Sequence, residues 1–140
     1  MKNYTEPELE FLIQRFEKQQ LPKDEWTHEA HLAVGVWYIM KYDFSTALDL
    51  VRKLILKHNE SVGTPNSETE GYHETITQFW LKNVTHFLSQ HNFTIPAEAC
   101  NALINSPQGH NHYILYFYSR EVLFSSKARH EFVEPDIKPI

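Results

Sequence analysis

The chain has 140 residues, of which 41% are hydrophobic, 14% aromatic and 22% charged, with one cysteine, nine histidines and a formal net charge of −5. This length suits one domain with a sizeable core, and the aromatic content excludes a globally disordered chain. One cysteine excludes a disulfide-stapled scaffold and any metal site built from several thiolates, and the acidic balance disfavours a nucleic-acid partner. Histidine is the unusual component.

The first two helices are predicted by their caps and apolar periodicity. Thr5 and Glu8 form a capping-box pattern ahead of the first helix, and Pro22 is expected to end it. Thr27 is the expected N-cap of a second helix that runs to about Tyr42. This helix is apolar nearly all round, so we expect it to lie centrally. The apolar stripe of the first helix consists of Leu9, Leu12, Ile13 and Phe16.

Two longer helices are predicted in the middle of the chain. The third follows a cap at Asp43 or Ser45 and shows a clear apolar stripe. Ser67 and Glu70 form another capping-box pattern, which predicts that a fourth helix starts there and ends near His91. Between the third and fourth helices, glycine and proline indicate a loop.

The last third of the chain predicts shorter elements. A helix is expected at about 96–105, a turn at 106–109, an aromatic segment at 113–118, a short helix near 125–130, and an extended tail from about 133. No segment shows sustained period-two alternation, and no domain linker or repeat is visible. The sequence therefore predicts an all-α fold: one compact bundle of five to seven helices over the whole chain.

The location of the protein is also an expectation from sequence. The first seven residues lack the apolar segment of a secretory signal, and the longest apolar run, Leu32 to Met40, is half of what a membrane span needs. We therefore expect a cytoplasmic protein that does not contact a membrane, with Cys100 as a buried, inert thiol.

Two histidines share one face at the start of the second helix. His28 and His31 are three positions apart, about 60° around the helix axis, which is close enough to chelate one ion. The helix N-terminus disfavours imidazolium, so both rings should be neutral, the form that binds metal. Gly35 lies one turn later on this face and lets a helix or a ligand approach. A histidine at such a position is often only a cap or surface residue, and a catalytic zinc site usually needs a third protein ligand.

The third candidate ligand comes from the predicted fourth helix. His73 lies within about 40° of the centre of its apolar stripe, so it is expected to point towards the core. Glu74 lies about 140° from the stripe and is expected to face solvent. Thr77, one turn later, is placed to orient His73. The alternative is structural, because an inward histidine often simply bonds a backbone carbonyl.

Other histidines have simpler interpretations. His58 and His91 lie near predicted helix C-termini, where the helix dipole favours a basic residue. His110 and His112 form a His-x-His pair in a loop, which is more typical of polar loop composition than of a metal site. None of these four is needed for a site between the second and fourth helices.

Three stretches of the chain resemble a known family. They are Trp26-Thr27-His28-Glu29-Ala30-His31-Leu32, Gly71-Tyr72-His73-Glu74-Thr75 and Phe132-Val133-Glu134-Pro135-Asp136. In this order they are similar to the W-T-H-x-A-H-L, G-Y-H-E-T and F-V-E-P-D signatures of a family of small uncharacterised bacterial proteins. The resemblance implies no activity, but it marks His28, His31, His73 and Glu74 as motif members. Where the family tends to have an arginine, this chain has Tyr116. An anion-binding role would then pass to Arg120 or be absent, and a surface ion pair is the alternative for Arg120.

These residues support a metal-dependent enzyme as the first hypothesis, either a hydrolase or an oxygenase acting on an unidentified small molecule. A divalent ion, zinc or iron, would be bound by imidazoles with water at an open position. The expected ligands are His28, His31 and His73. The expected catalytic residues are Glu74 or Glu29 as general base and Tyr72 or Tyr38 as an orienting hydroxyl.

Two other hypotheses stay open. The first is a metal-free small-molecule-binding protein, or an enzyme that uses His73 as acid or base in an aromatic pocket. The second is a helical interaction module whose histidines only satisfy hydrogen bonds in the core. The apolar second helix suits either a monomer core or the seam of a homodimer.

Overall fold

The first helix, α1 (Glu6–Glu17), begins and packs as the sequence predicts. A computed structural model describes residues 3–140 and shows both bonds of the capping box. The Glu8 N–H donates to Thr5 Oγ1 at 3.2 Å, and the Thr5 N–H donates to a Glu8 carboxylate oxygen at 2.9 Å. All four residues of the predicted apolar stripe are buried.

The end of α1 differs from the prediction. The helix stops at Glu17 because Gln19 adopts a left-handed conformation with φ 53°. The N–H groups of Gln19 and Gln20 then bond to carbonyl oxygens of the last turn, which is the Schellman arrangement. The prediction that Pro22 ends the helix is therefore wrong, and this proline instead precedes a short 3-10 turn, Lys23–Glu25.

The second and third helices follow the predicted caps. Helix α2 (His28–Lys41) has Thr27 as its N-cap, with the side-chain oxygen accepting a backbone N–H from the first turn. Helix α3 (Phe44–Ser61) begins after Asp43, whose carboxylate accepts a backbone N–H in the same way. Of the two caps that the sequence allowed, Asp43 rather than Ser45 is used.

The fourth helix, α4 (Glu74–Ser89), starts later than predicted. Ser67 and Glu70 lie in the loop before it, where the Ser67 hydroxyl accepts the Glu70 N–H without starting a helix. The N-cap is His73, whose Nδ1 accepts a backbone N–H of the first turn. The predicted capping box is therefore wrong, because an imidazole takes the place of the expected hydroxyl.

The remaining elements are short. Helices α5 (Pro96–Ile104) and α7 (Ser126–His130) confirm the predicted ones, and α6 (Arg120–Leu123) was not predicted. Two 3-10 turns, Pro107–Gly109 and Tyr113–Tyr116, connect α5 to α6. The tail after α7 contains neither helix nor strand.

Helix α2 lies at the centre of the bundle, as its sequence predicts. It contacts α1, α3, α4 and α5, so its apolar surface is covered by helices of the same chain. A second, smaller core joins α4 to the C-terminal part of the chain; it consists of Phe79, Ile114, Phe117, Tyr118 and Leu123. Residues 3–140 form seven α-helices and no strand, which confirms the all-α fold class. None of the described helices is long and apolar enough to cross a membrane.

Candidate functional site

A cavity of about 390 Å³ lies between α2, α3 and the N-terminus of α4. Three imidazoles line it, so we name it the histidine cavity. Its volume falls in the range of about 300–1,000 Å³ that is typical of small-molecule sites. The polar side chains on its wall include His31, His58, His73, Asn59, Tyr72 and Thr77, and apolar contacts come from Trp26, Ile55 and Ile76.

His31 presents one ring nitrogen that has no partner in the described chain. Its ring is accessible to solvent and yet surrounded by protein atoms, as expected for the wall of a concave site. Nδ1 donates to the Thr27 carbonyl oxygen at 2.7 Å, which places the lone pair on Nε2. The ring packs against Trp26 with centroids 3.7 Å apart and the two planes tilted by 31°. Burial lowers the pKa of His31 to about 4, so the ring is neutral near pH 7, as predicted. The main cause is desolvation, whereas the sequence predicts the helix N-terminus as the cause.

His73 points inward as predicted, but both of its ring nitrogens are used. Nδ1 accepts the Ile76 N–H at 3.1 Å, and Nε2 donates to the Leu123 carbonyl oxygen at 2.8 Å. Burial lowers the pKa of His73 as well. The hydroxyl of Thr77 donates to the His73 backbone carbonyl at 2.9 Å, so it does not orient the ring as predicted. A metal ion or a substrate could reach a His73 nitrogen only by displacing one of these bonds.

His58 also lines the cavity, although the sequence analysis did not include it among the site residues. It is fully buried, and Nε2 donates to the Leu21 carbonyl oxygen at 3.1 Å. Its Nδ1 is the one buried side-chain nitrogen or oxygen of residues 3–140 without a hydrogen-bond partner. Burial lowers the pKa of His58, and the bond to the Leu21 carbonyl and an interaction with the Asn59 side chain only partly oppose this effect. A usable signal existed, because Val51, Ile55 and His58 follow the i, i+4, i+7 spacing of the buried face of α3.

His28 lies outside the histidine cavity. Its Nε2 donates to the Gly109 carbonyl oxygen at 2.8 Å, and its ring contacts Trp80 edge-on with centroids 5.0 Å apart. The structure thus brings His31 and His73 to one cavity and places His28 against the segment after α5. In the described part of the chain, no group of three or more histidine, cysteine or acidic side chains is placed to hold a metal ion.

Glu74 is buried, so the prediction that it faces solvent is wrong. Arg52 of α3 reaches over the start of α4 and donates to both carboxylate oxygens at 2.9 and 2.7 Å. Gln78 and the Tyr72 hydroxyl also donate to this carboxylate, at 2.5 and 2.8 Å. Burial raises the pKa of Glu74, but these hydrogen bonds outweigh it and hold the pKa below its usual value. The carboxylate is a weak base in this setting and serves to position Tyr72.

The other two predicted catalytic residues lie elsewhere. Glu29 lines a separate concavity of about 380 Å³ with Arg15 and Glu25. The Tyr38 hydroxyl donates to the Glu17 carboxylate. Of the four catalytic candidates, only Tyr72 lines the histidine cavity.

An apolar extension adjoins the histidine cavity; we name it the inner pocket. Its volume is about 50 Å³, and it shares Trp26, His31 and Ile76 with the larger cavity. Gly35 of α2 is part of its wall, which agrees with the prediction that this glycine leaves room beside the histidines. A Cβ at this position would meet Leu81 and Val84 at 3.5 Å, an ordinary contact, so the glycine leaves space that a methyl group can fill.

Two other concavities are larger than the histidine cavity. One, of about 780 Å³, lies between α4 and the C-terminal tail, and its wall includes Lys82, His86 and Glu134. A groove of about 640 Å³ contains the exposed pair His110 and His112, whose ring centroids are 5.2 Å apart. Neither wall contains a buried polar atom without a partner. Ionisable groups with shifted pKa values in a cleft are typical of functional sites, and three histidines with lowered pKa values line the histidine cavity.

Neither Cys100 nor Arg120 lines the histidine cavity. Cys100 is buried, and burial raises its pKa to about 12, which agrees with an inert thiol. Arg120 is exposed at the start of α6.

Comparisons of the chain with protein-family models, with curated proteins and with solved structures found no significant match. The resemblance to the family with the three signatures therefore stays a prediction. The candidate site is therefore assigned from the geometry of this chain alone. In it, two signature residues, His31 and His73, line the same cavity as His58.

Proposed function

We propose that this protein binds a small organic molecule in the histidine cavity without the help of a metal ion. The observation that carries this proposal is the position of His31. It presents a neutral, unpartnered Nε2 where the histidine cavity meets the inner pocket. A concave site with an apolar end and a few convergent polar groups is typical of small-molecule binding.

The same residues support binding more strongly than acid–base catalysis. An efficient general base has a pKa near the working pH, whereas the pKa of His31 is lowered to about 4. His73, the sequence-based candidate for acid or base, has both ring nitrogens bonded to the backbone. A neutral His31 is well suited to accept a hydrogen bond from a ligand and poorly suited to remove its proton.

The metal-dependent enzyme stays a prediction from the sequence. In its favour, His28 and His31 each donate one ring N–H to a backbone carbonyl, as metal-binding histidines usually do. Against it, the third ligand His73 would have to give up its bond to Ile76 or to Leu123. The metal-free proposal needs no such rearrangement.

The interaction-module hypothesis also has a supporting observation. His28 and His73 join parts of the chain that are far apart in sequence, through Gly109 and Leu123 respectively. These two histidines therefore have structural roles even if His31 binds a ligand. The two interpretations differ in whether any small molecule binds the cavity.

A fragment screen in a buffer with a chelator tests the proposal. Binding is followed by amide shifts in two-dimensional NMR of the 15N-labelled protein. We expect fragments that shift the amides of His31, Ile76 and Thr77 and that bind equally with and without EDTA. Hits that require added zinc, iron(II) or manganese would contradict metal-free binding and support the metal site. A screen with no hit at these amides would contradict a small-molecule site and leave the interaction module.

A further inference from the structure

The wall of the histidine cavity offers one solvent-accessible imidazole acceptor, that of His31. His31 Nε2 has no partner in the described chain, and its lone pair is fixed by the bond from Nδ1 to Thr27. His58 Nδ1 also has no hydrogen-bond donor, but this ring is fully buried, so its lone pair is not exposed to a ligand in the cavity.

Several donors on the same wall are already used within the protein. The hydroxyl hydrogen of Tyr72 goes to Glu74, and that of Thr77 goes to the His73 backbone carbonyl. The Asn59 amide donates to the Asn66 side-chain oxygen at 2.9 Å. A carboxylate or phosphate ligand inside the cavity would therefore face the His31 lone pair, which repels it, and these hydroxyls could help it only after giving up their present partners. The cationic side chain of Lys23 is exposed to solvent and offers little compensation.

A cationic head group is disfavoured as well. No aspartate or glutamate lines the histidine cavity, and the one charged side chain on its wall is that of Lys23, which is exposed. The buried carboxylate that follows the lining residues Tyr72 and His73, that of Glu74, is paired with Arg52, and that of Glu25, next to Trp26, is paired with Arg15. An ammonium group would lose its hydration without gaining a counter-ion, which is costly in a partly buried site.

We infer that the ligand of the histidine cavity is a neutral molecule that donates a hydroxyl hydrogen to His31 Nε2 and places a short alkyl group in the inner pocket. This inference rests on the proposed function and specifies its ligand class as an alcohol. The alkyl length follows from the volume of about 50 Å³, which suits about two carbon atoms. His31 lines both spaces, so one molecule can make both contacts.

Three probes of equal chain length test the inference: butan-1-ol, butylamine (protonated) and butyrate, titrated at pH 7.5 with NMR detection at the cavity amides. We expect butan-1-ol to bind about tenfold more tightly than either ion, which corresponds to about 1.4 kcal/mol. His31→Phe retains a ring that can stack on Trp26 but removes the acceptor, so it should abolish this preference. The matched control His130→Phe changes an exposed histidine at the end of α7 and should leave the preference intact.

A second variant keeps the test decisive if His31→Phe does not fold. Gly35→Ala adds a methyl group to the inner pocket at an ordinary contact distance, so it should fold and bind butan-1-ol about three- to tenfold more weakly. If butyrate or butylammonium binds the cavity as tightly as the alcohol, the ligand class is wrong while the small-molecule site stands. If none of the probes binds there, the inference is wrong, and only the fragment screen decides the proposed function.

Discussion

The histidines at or near the cavity differ in what their second ring nitrogen contacts. Each of the four at or near the cavity donates one N–H to a backbone carbonyl oxygen; the pairs are His28 with Gly109, His31 with Thr27, His58 with Leu21 and His73 with Leu123. His73 also uses its other nitrogen to cap α4, whereas His31 and His58 keep theirs unpartnered within the described residues. The same side chain therefore serves the fold at one position and leaves a ligand acceptor at another.

His73→Ala is expected to reduce the free energy of unfolding by about 2–4 kcal/mol. The substitution removes the N-cap of α4 and leaves the Leu123 carbonyl without its donor. Urea denaturation followed by circular dichroism measures the change. His130→Ala, at an exposed position, should change stability by no more than about 0.5 kcal/mol. Equal effects of the two substitutions would contradict the structural role of His73.

Glu74→Gln is expected to reduce the free energy of unfolding by about 1–3 kcal/mol. Arg52, whose side chain is 32% exposed, would lose its buried charged partner and keep only the exposed carboxylate of Asp49. Glu131→Gln is the matched control, because its carboxylate pairs with Lys127 on the exposed surface and should contribute little. Thermal and urea unfolding of both variants compare the two pairs. A loss for Glu74→Gln as small as for the control would show that the buried network contributes nothing measurable.

Apolar periodicity and capping residues predict most helices correctly, but they place the start of α4 too early. The face of a helix can be read from sequence only when the start of the helix is known, and Ser67 and Glu70 gave a false start. The burial of Glu74 depends on Arg52 from another helix, which no local pattern contains. His58, in contrast, was predictable, since it continues the buried face of α3.

Gly35→Ala is expected to increase the free energy of unfolding by about 0.5–1 kcal/mol. Alanine has a higher helix propensity than glycine, and the added methyl group would contact Leu81 and Val84 without a clash. The melting temperature should rise by a few degrees, as measured by calorimetry. Gly71→Ala is the contrasting control, because φ is 85° there and a Cβ would lie 2.2 Å from the Pro65 carbonyl oxygen. Stabilisation by Gly71→Ala, or destabilisation by Gly35→Ala, would contradict the local geometry.

The free energy of unfolding of the whole protein is expected to fall as the pH drops from about 7 to 5. The pKa values of His31, His58 and His73 are all lowered from 6.5 in the folded state, mainly by burial. The unfolded chain therefore binds more protons in this window, so the stabilisation is complete above about pH 6.5 and is lost as the pH falls towards the folded pKa values. Glu74, Asp43 and Asp136 have lowered pKa values too, and their contribution is lost below about pH 4.

Urea denaturation at pH 7.5, 6.5, 5.5 and 5.0 measures this dependence. His31→Phe removes one of the three shifted groups, so its stability should depend less steeply on pH than that of the unsubstituted protein. His130→Phe is the control with the slope unchanged. A stability independent of pH across this range would contradict the lowered pKa values of the three histidines.

The fold class, the N-caps of α1 and α2, and Asp43 as one of two candidate caps of α3 could be predicted from the sequence, because each depends on neighbours within about one or two helical turns. Which histidines meet could not be predicted, because that depends on contacts between distant parts of the chain. His28 and His31 share one helix face, yet His28 is hydrogen-bonded to the Gly109 carbonyl, whereas His31 lines the histidine cavity. His58 joins the site from α3. The partners that settle each role lie up to 81 positions away in the chain, and a local pattern contains no information at that distance.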